Sequence, residues 1–262
     1  MQGLSESRLI PGLRVVVTAG AGGIGRAIVE ALIAQQARVY VCDIDENALA
    51  RLRADMPQVH ASVADVSRPE DVDALFGEVE AAFGGLDVLV NNAGIAGPTV
   101  GVEEISDADW QRTIEVNLNG QFYCLRRAVP LLKRADGGVI VNISSVAGRL
   151  GYAYRLPYAA TKWAIVGMTE SLAKELGPAN ISVNAVLPGI VKGPRIEGVI
   201  AARAQALGVD YATMEQEYLQ KISLRRMVSP HDVAATVAFL CSPSGRNISG
   251  QPISVCGNVE TL

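Results

Sequence analysis

Histidine is scarce in this 262-residue chain. His60 and His231 are the only two, and neither has a metal-ligating neighbour at useful spacing, so no metal centre is expected. Cysteine is almost as sparse: Cys42, Cys124, Cys241 and Cys256 are scattered, with no Cys-x-x-Cys pair. That argues against zinc ligation and a disulfide framework, and leaves reduced, mostly buried thiols in a cytoplasmic protein as the expectation. Positive charge is not in excess. The 23 lysines and arginines face 27 acids, for a net charge of −4, so neither nucleic acid nor an anionic membrane is expected as a partner. No apolar run reaches the roughly 20 residues of a membrane span, and residues 1–11 lack the apolar stretch of a secretory signal. No linker rich in Pro, Gly or Ser, no charge run and no fixed-period repeat divides the chain, so one domain over residues 1–262 is the economical reading.

What the chain does have is apolar residues, 49% of the total, in stretches that alternate between strand and helix patterns. Short apolar runs at residues 13–18, 38–42, 59–63, 86–90, 139–143, 181–186 and 252–255 fit buried parallel strands. Between them, 3.6-residue periodicity predicts a helix through Ile28, Leu32 and Ile33, and others over 47–54, 69–83, 107–118, 120–134, 157–177 and 230–240. A polar helical stretch over 195–222 breaks near Gly208, and residues 190–228 read as a substrate-loop insertion. The pattern predicts an α/β fold: a single-domain Rossmann fold, with a doubly wound parallel sheet of about seven strands and helices on both faces. Ligands of such sheets bind outside the carboxyl ends of the strands, where the polar and glycine-rich stretches of this chain fall.

Tyr158-Ala159-Ala160-Thr161-Lys162 organises the chemistry. Pro157 opens a helix, and residues four apart share a face, so Tyr158 and Lys162 point the same way. Free tyrosine titrates near 10 and is a poor base at neutral pH, but an adjacent ammonium favours the phenolate and can equip it for proton exchange with an alcohol or carbonyl oxygen. Alone, Tyr-x-x-x-Lys equally fits an ordinary surface pair. A second stretch, Thr18-Ala19-Gly20-Ala21-Gly22-Gly23-Ile24-Gly25, joins the first strand to its helix. Glycines there let backbone approach a pyrophosphate at a helix N-terminus. Asp43 ends the second strand, where its carboxylate can accept from both adenosine ribose hydroxyls and repel a 2′-phosphate. Its alternative role is a helix cap, shared with Asp45.

With Asn91-Asn92-Ala93-Gly94, Asn117, Ser145 and Pro188-Gly189 in the same order and spacing, the sequence resembles the short-chain dehydrogenase/reductase family over essentially its whole length. The resemblance implies an NAD-dependent oxidoreductase that interconverts a secondary alcohol and a ketone. It implies a cofactor site of Gly20, Gly23, Ile24, Gly25, Asp43, Asp65, Val66, Asn92, Ala93, Gly94, Tyr158, Lys162, Pro188, Gly189 and Val191, with Asp65 and Val66 at the adenine and Asn91 lining the cleft. By the same resemblance Ser145 would bond the substrate oxygen, Tyr158 would exchange its proton, and Lys162 would hold the nicotinamide ribose. Asn117 would hold a water that relays protons beyond Lys162. Three departures stand out: Ala19 replaces the usual first glycine of the turn, which is tolerated if it needs no positive φ; Ile190-Val191-Lys192-Gly193 lacks the usual threonine; and Cys256-Gly257-Asn258 replaces an Asp-Gly-Gly element.

Arg149, Tyr152, Arg155, Lys192 and Arg195 fall in the loops that hold substrate in this family. Arg149, Arg155 and Arg195 are the candidate substrate contacts, and they suggest a small polar substrate, such as a sugar, sugar acid or hydroxy acid. Their alternative is solvated loop residues paired with acids such as Glu197. Two other readings stay open: a 3-oxoacyl-(acyl carrier protein) reductase or other ketone reductase, and a nucleotide-sensing protein without activity. The helix at 157–177 is apolar beyond one stripe, with Trp163 and Val166 added to Ile165, Met168 and Leu172. A helix of that kind needs a second partner, and the family resemblance implies a homotetramer or homodimer. Residues 258–262 would then lie near a subunit boundary.

Overall fold

Alternate residues of each central strand face opposite layers. In β1 (Arg14–Thr18), Val15 and Val17 join one core and Val16 the other. In β4 (Val88–Asn91) the same split puts Val88 and Val90 on one side and Leu89 on the opposite side. Strands buried on both faces are the signature of a parallel sheet covered by helices, and that is what the computed structural model contains. It describes residues 8–259, without the side chains of Arg195, Ala202, Arg203 and Ala206.

The remaining strands are β2 (Arg38–Asp43), β3 (His60–Val63), β5 (Gly138–Ile143), β6 (Ile181–Pro188) and β7 (Pro252–Val255). All seven pair in parallel in the order β3-β2-β1-β4-β5-β6-β7. The order reverses between β1 and β4, and such a switch point opens a crevice at the carboxyl ends. On one face lie α1 (Gly23–Ile33), α2 (Glu46–Asp55) and α9 (Pro230–Cys241); on the other lie α3 (Pro69–Phe83), α5 (Gly120–Arg134) and α6 (Leu156–Leu176). Helix boundaries follow local chemistry. Pro69 opens α3 and Gly84 closes it at φ +69°, while Ser229 and Asp232 form a capping box on α9.

Two predicted boundaries differ in kind. The expected break between helices near residue 119 is instead a π turn, Glu115–Asn119, that joins α4 (Asp107–Ile114) to α5 without interruption. The stretch 195–222 does divide, into α7 (Pro194–Leu207) and α8 (Tyr211–Gln220), at Gly208 with φ +66°. The two helices share a small core of Ile200, Ala204 and Met214. The chain end is tied to this insertion: Ile222 bridges Val259, and the amides of Ser223 and Leu224 donate to the carbonyls of Asn258 and Gly257. Residues 260–262 of the predicted boundary tail lie outside the described residues. Cys42, Cys124 and Cys241 are buried, and burial pushes the Cys42 and Cys241 thiols up to about 12. No helix among the described residues is long and apolar enough to cross a membrane.

At the amino end of the sheet, Arg14 grips Asp87 with its backbone amide and two guanidinium nitrogens, at 2.6–2.8 Å. Partial burial works to raise the Asp87 carboxyl, but these hydrogen bonds and the Arg14 charge outweigh it and hold it below the usual aspartate value. A carboxyl depressed in the folded state stabilises above its unfolded value and ceases to do so as pH falls through the folded one. Stability should therefore decline as pH drops below about 4. Asp87→Asn should flatten that part of the curve, read as urea midpoints across acid pH.

Candidate active site

The switch point opens into a cavity of about 540 Å³, within the range of small-molecule and cofactor sites. Four stretches at the carboxyl ends of the strands build it: the turn before α1, the segment after β4, Ser144-Ser145-Val146 after β5, and residues 188–194 from the last residue of β6 onward. Ile196 and Val199 of α7 and Tyr218 of α8 close it from above.

The glycine turn is shaped by crowding. A Cβ on Gly25 would lie 2.1 Å from the Ala19 carbonyl oxygen and 2.6 Å from Asn92 Nδ2, so only glycine fits there. Ala19 sits at φ +49°. The condition under which alanine was expected to be harmless is therefore not met, and the residue carries a left-handed backbone at about 1–2 kcal/mol. Its conformation is pinned because Asn92 Nδ2 donates to the carbonyls of both Thr18 and Ala19, at 3.0 Å each. Gly22 caps α1 with no side-chain acceptor, and no acid lies in the first turn. The first amides of α1 therefore suit an anion. Asp43 lines the cavity and accepts from the amides of Ala21 and Asp45, while Asp45 caps α2. Arg26, next to the glycine turn in sequence, is turned to Glu30 and Asp55.

Tyr158 and Lys162 stand on one face of α6, with the lysine Nζ 5.6 Å from the tyrosine ring centroid. Lys162 is only 4% exposed, and Nζ donates to the Ile143 carbonyl at 3.0 Å. Ser145 lines the cavity and its hydroxyl accepts from the Ala147 amide. Ser144 is buried and donates to the Lys162 carbonyl at 2.8 Å, which clamps α6 to β5. Asn117 is buried in the π turn. Its side chain is committed to backbone, accepting from Ile95 N–H at 2.7 Å and donating to Ile95 C=O, with a further bond to Thr161. The amide anticipated as a water holder thus acts first as a clamp on the segment after Gly94.

Gly23, Ile24, Gly25, Asp43, Asn92, Gly94, Ser145, Arg155, Tyr158, Lys162, Pro188, Gly189 and Val191 all line the cavity. Other expected contacts do not. Gly20, Asn91 and Ala93 are buried and do not reach its surface. Asp65 is turned to Ser67 and Arg112, whose hydrogen bonds and charge outweigh partial burial and lower its carboxyl. Val66 is buried against Gly120. Arg149 is exposed and donates to Ser254 on β7, away from the cavity, because the short helical turn at Val146–Gly148 carries it past the rim. Arg195 is the second residue of α7, with a side chain outside the described residues. Two groups of residues escaped the sequence reading: the α7–α8 lining, which no short motif marks, and Thr18.

Thr18 is buried at the end of β1, and its hydroxyl accepts from the amides of both Asn92 and Ala93 at 3.0 Å. Thr18→Val should strand both donors at a cost of about 1–3 kcal/mol each and lower the denaturation midpoint. Thr18→Ser, which keeps the oxygen, should recover most of the loss.

Residues 18–258 match the family profile described as enoyl-(acyl carrier protein) reductase. The 3-oxoacyl-[acyl-carrier-protein] reductase FabG of Staphylococcus aureus (strain Mu50 / ATCC 700699) is 34% identical over 249 residues, covering 93% of this chain and 96% of that protein. The 2-dehydro-3-deoxy-L-rhamnonate dehydrogenase (NAD(+)) of Sphingomonas sp. (strain SKA58) is 35% identical over 227 residues, 87% of each. L-sorbose reductase from Gluconobacter frateurii, solved with NADPH and L-sorbose, superposes with a TM-score of 0.91 at 28% identity, covering 98% of this chain and all of that one. A seven-stranded parallel sheet, a glycine turn at its switch point and Tyr158 and Lys162 facing the same cavity agree with these likenesses: the chain belongs to the short-chain dehydrogenase/reductase family of oxidoreductases.

Proposed function

We propose that the protein is an NAD-dependent dehydrogenase/reductase acting on a secondary alcohol or the matching ketone of a small polar substrate. The observation that carries this reading is the Tyr158–Lys162 pair on one face of α6, beside Ser145 in the cavity. The nicotinamide, when bound, supplies the hydride acceptor or donor. The chain's own residues do the rest. Ser145 accepts from Ala147 N–H, which leaves its hydroxyl proton to donate to the substrate oxygen. Tyr158 takes the substrate hydroxyl proton at its phenol oxygen, or returns it in the reverse direction. Lys162 donates a hydrogen bond to Ile143 C=O and sets a cation beside the Tyr158 ring. Asn117 fixes the segment after Gly94 through both backbone groups of Ile95. At the other end, the uncapped amides of α1 and the Gly25 cradle take the pyrophosphate, and Asp43 takes the adenosine ribose.

The likeness to the acyl-carrier-protein reductase supports a second reading, in which the ketone is carried on an acyl chain. We further propose a homo-oligomer, a tetramer or dimer, built on the outer face of α6. Trp163 is 52% exposed there and Phe122 of α5 is 48% exposed, and apolar faces of this kind favour symmetric association.

Tyr158→Phe should lower kcat by about 10²–10⁴-fold and leave NAD affinity nearly unchanged, because only the phenol oxygen is removed. Lys162→Ala should damage both. Turnover is followed through the near-ultraviolet absorbance of the reduced cofactor with a panel of polyols, sugar acids and hydroxy acids. Substantial kcat in Tyr158→Phe at any pH would refute the proton-transfer role.

The kcat/KM for NAD should exceed that for NADP by at least about tenfold, because like charges brought together cost several kcal/mol. Asp43→Ala should narrow the gap by relieving the repulsion. Equal efficiency with the two cofactors in the unaltered protein would count against the assignment.

A further inference from the structure

Arg155 immediately precedes α6 and lines the cavity between Tyr152 and Tyr158. Its guanidinium carbon lies 5.2 Å from the Tyr152 ring centroid and 5.0 Å from that of Tyr158. Nη2 donates to the Ala96 carbonyl at 2.9 Å, which anchors the head group against the segment after β4. Nε is buried and meets no acceptor. Among the described residues no carboxylate pairs with Arg155, whereas Arg14, Arg26, Arg53, Arg68, Arg112, Arg127 and Arg134 each have at least one. A half-buried guanidinium with only a neutral acceptor and an orphan N–H is costly unless something else completes it.

Nη2 has a second N–H beside the unpartnered Nε. The Nε and Nη2 groups of one arginine fit a carboxylate with two parallel bonds, as Arg14 does with Asp87 in this chain. Charge around the cavity points the same way. Lys162 and Lys192 also line it, and Asp43 is the acid among its described lining residues, at the glycine-turn end. Basic side chains thus outnumber acids among those residues. Arg149 takes no part, since it is turned to Ser254.

We propose that Arg155 is a specificity-determining residue that pairs with a substrate carboxylate held close to the reacting carbon, so that the substrates are small hydroxy acids and the corresponding oxo acids. This inference rests on the alcohol–ketone reading of the site. A neutral sugar offers the guanidinium edge no anion, and an acyl thioester carries none beside its ketone.

The test uses the full chain with NAD and three acids of increasing reach: lactate, 3-hydroxybutyrate and 4-hydroxypentanoate. Each is assayed beside its methyl ester, with isopropanol and cyclohexanol as neutral controls. At least one acid should exceed its ester by about tenfold or more in kcat/KM, the scale of a hydrogen bond to a charged group. Arg155→Gln should cut that acid-to-ester ratio by about 10–100-fold, mainly through KM, and Arg155→Lys should restore part of it. Melting curves and NADH binding of both variants report whether they fold. Esters or neutral alcohols turned over as well as the acids by the unaltered protein would overturn the inference and leave the activity standing. An equal loss of acid and ester in a folded Arg155→Gln would also overturn it, since that marks a residue that merely positions Tyr158. If no alcohol of either kind reduces NAD, the activity reading falls and the inference falls with it.

Discussion

The Thr18 hydroxyl accepts two amides from the segment after β4, and Asn92 returns its side-chain amide to the carbonyls of Thr18 and Ala19. Strands β1 and β4 are neighbours in the sheet but far apart in sequence, and their chains diverge beyond it. Without these bonds the two carboxyl ends could separate where the cavity opens. With them, the glycine turn and the post-β4 segment form one rigid corner. The left-handed Ala19 and the tight seat of Gly25 are held by the same group, Asn92, so the local strain and its restraint lie together.

A second set of buried polar bonds positions α6. Asn91 on β4 donates to Asn142 on β5, and Asn142 donates to Thr169 on α6. Ser144 reaches the Lys162 carbonyl one turn from Tyr158, and Lys162 reaches Ile143. Buried polar groups left single would each destabilise the fold, but joined in a line they fix the helix in both height and rotation. This matters because hydrophobic packing alone tolerates slips of a fraction of a turn, and proton transfer does not. The same elements thus supply both the core and the geometry of the site.

Most of the fold was legible because the strands are apolar on both faces and the helices amphipathic, two patterns that differ in period. The seven strands, the split at Gly208 and the pairing of Tyr158 with Lys162 all follow from spacing within one element. What spacing does not carry is the direction of a side chain once the loop before it has turned. Arg149 and Arg155 looked alike in sequence, yet one lies on β7 and the other on the tyrosine. Asp65 and Val66 likewise sit at the right position along the chain, but Ser67, Arg112 and Gly120 engage them away from the cavity. Thr18 was inconspicuous because its partners are more than 70 residues away, a distance no local pattern spans.

The π turn at Glu115–Asn119 also sets a rule of length. An α-helix turns by about 100° per residue, and a π turn accommodates one residue more than an α turn in the same rise. Deleting a single residue between Asp107 and Arg134 would therefore let the helix run on as a plain α-helix. Either Asn117 or the whole apolar face of α5 would then point elsewhere. The chain can trade side chains along this helix, but its residue count there is as fixed as any motif.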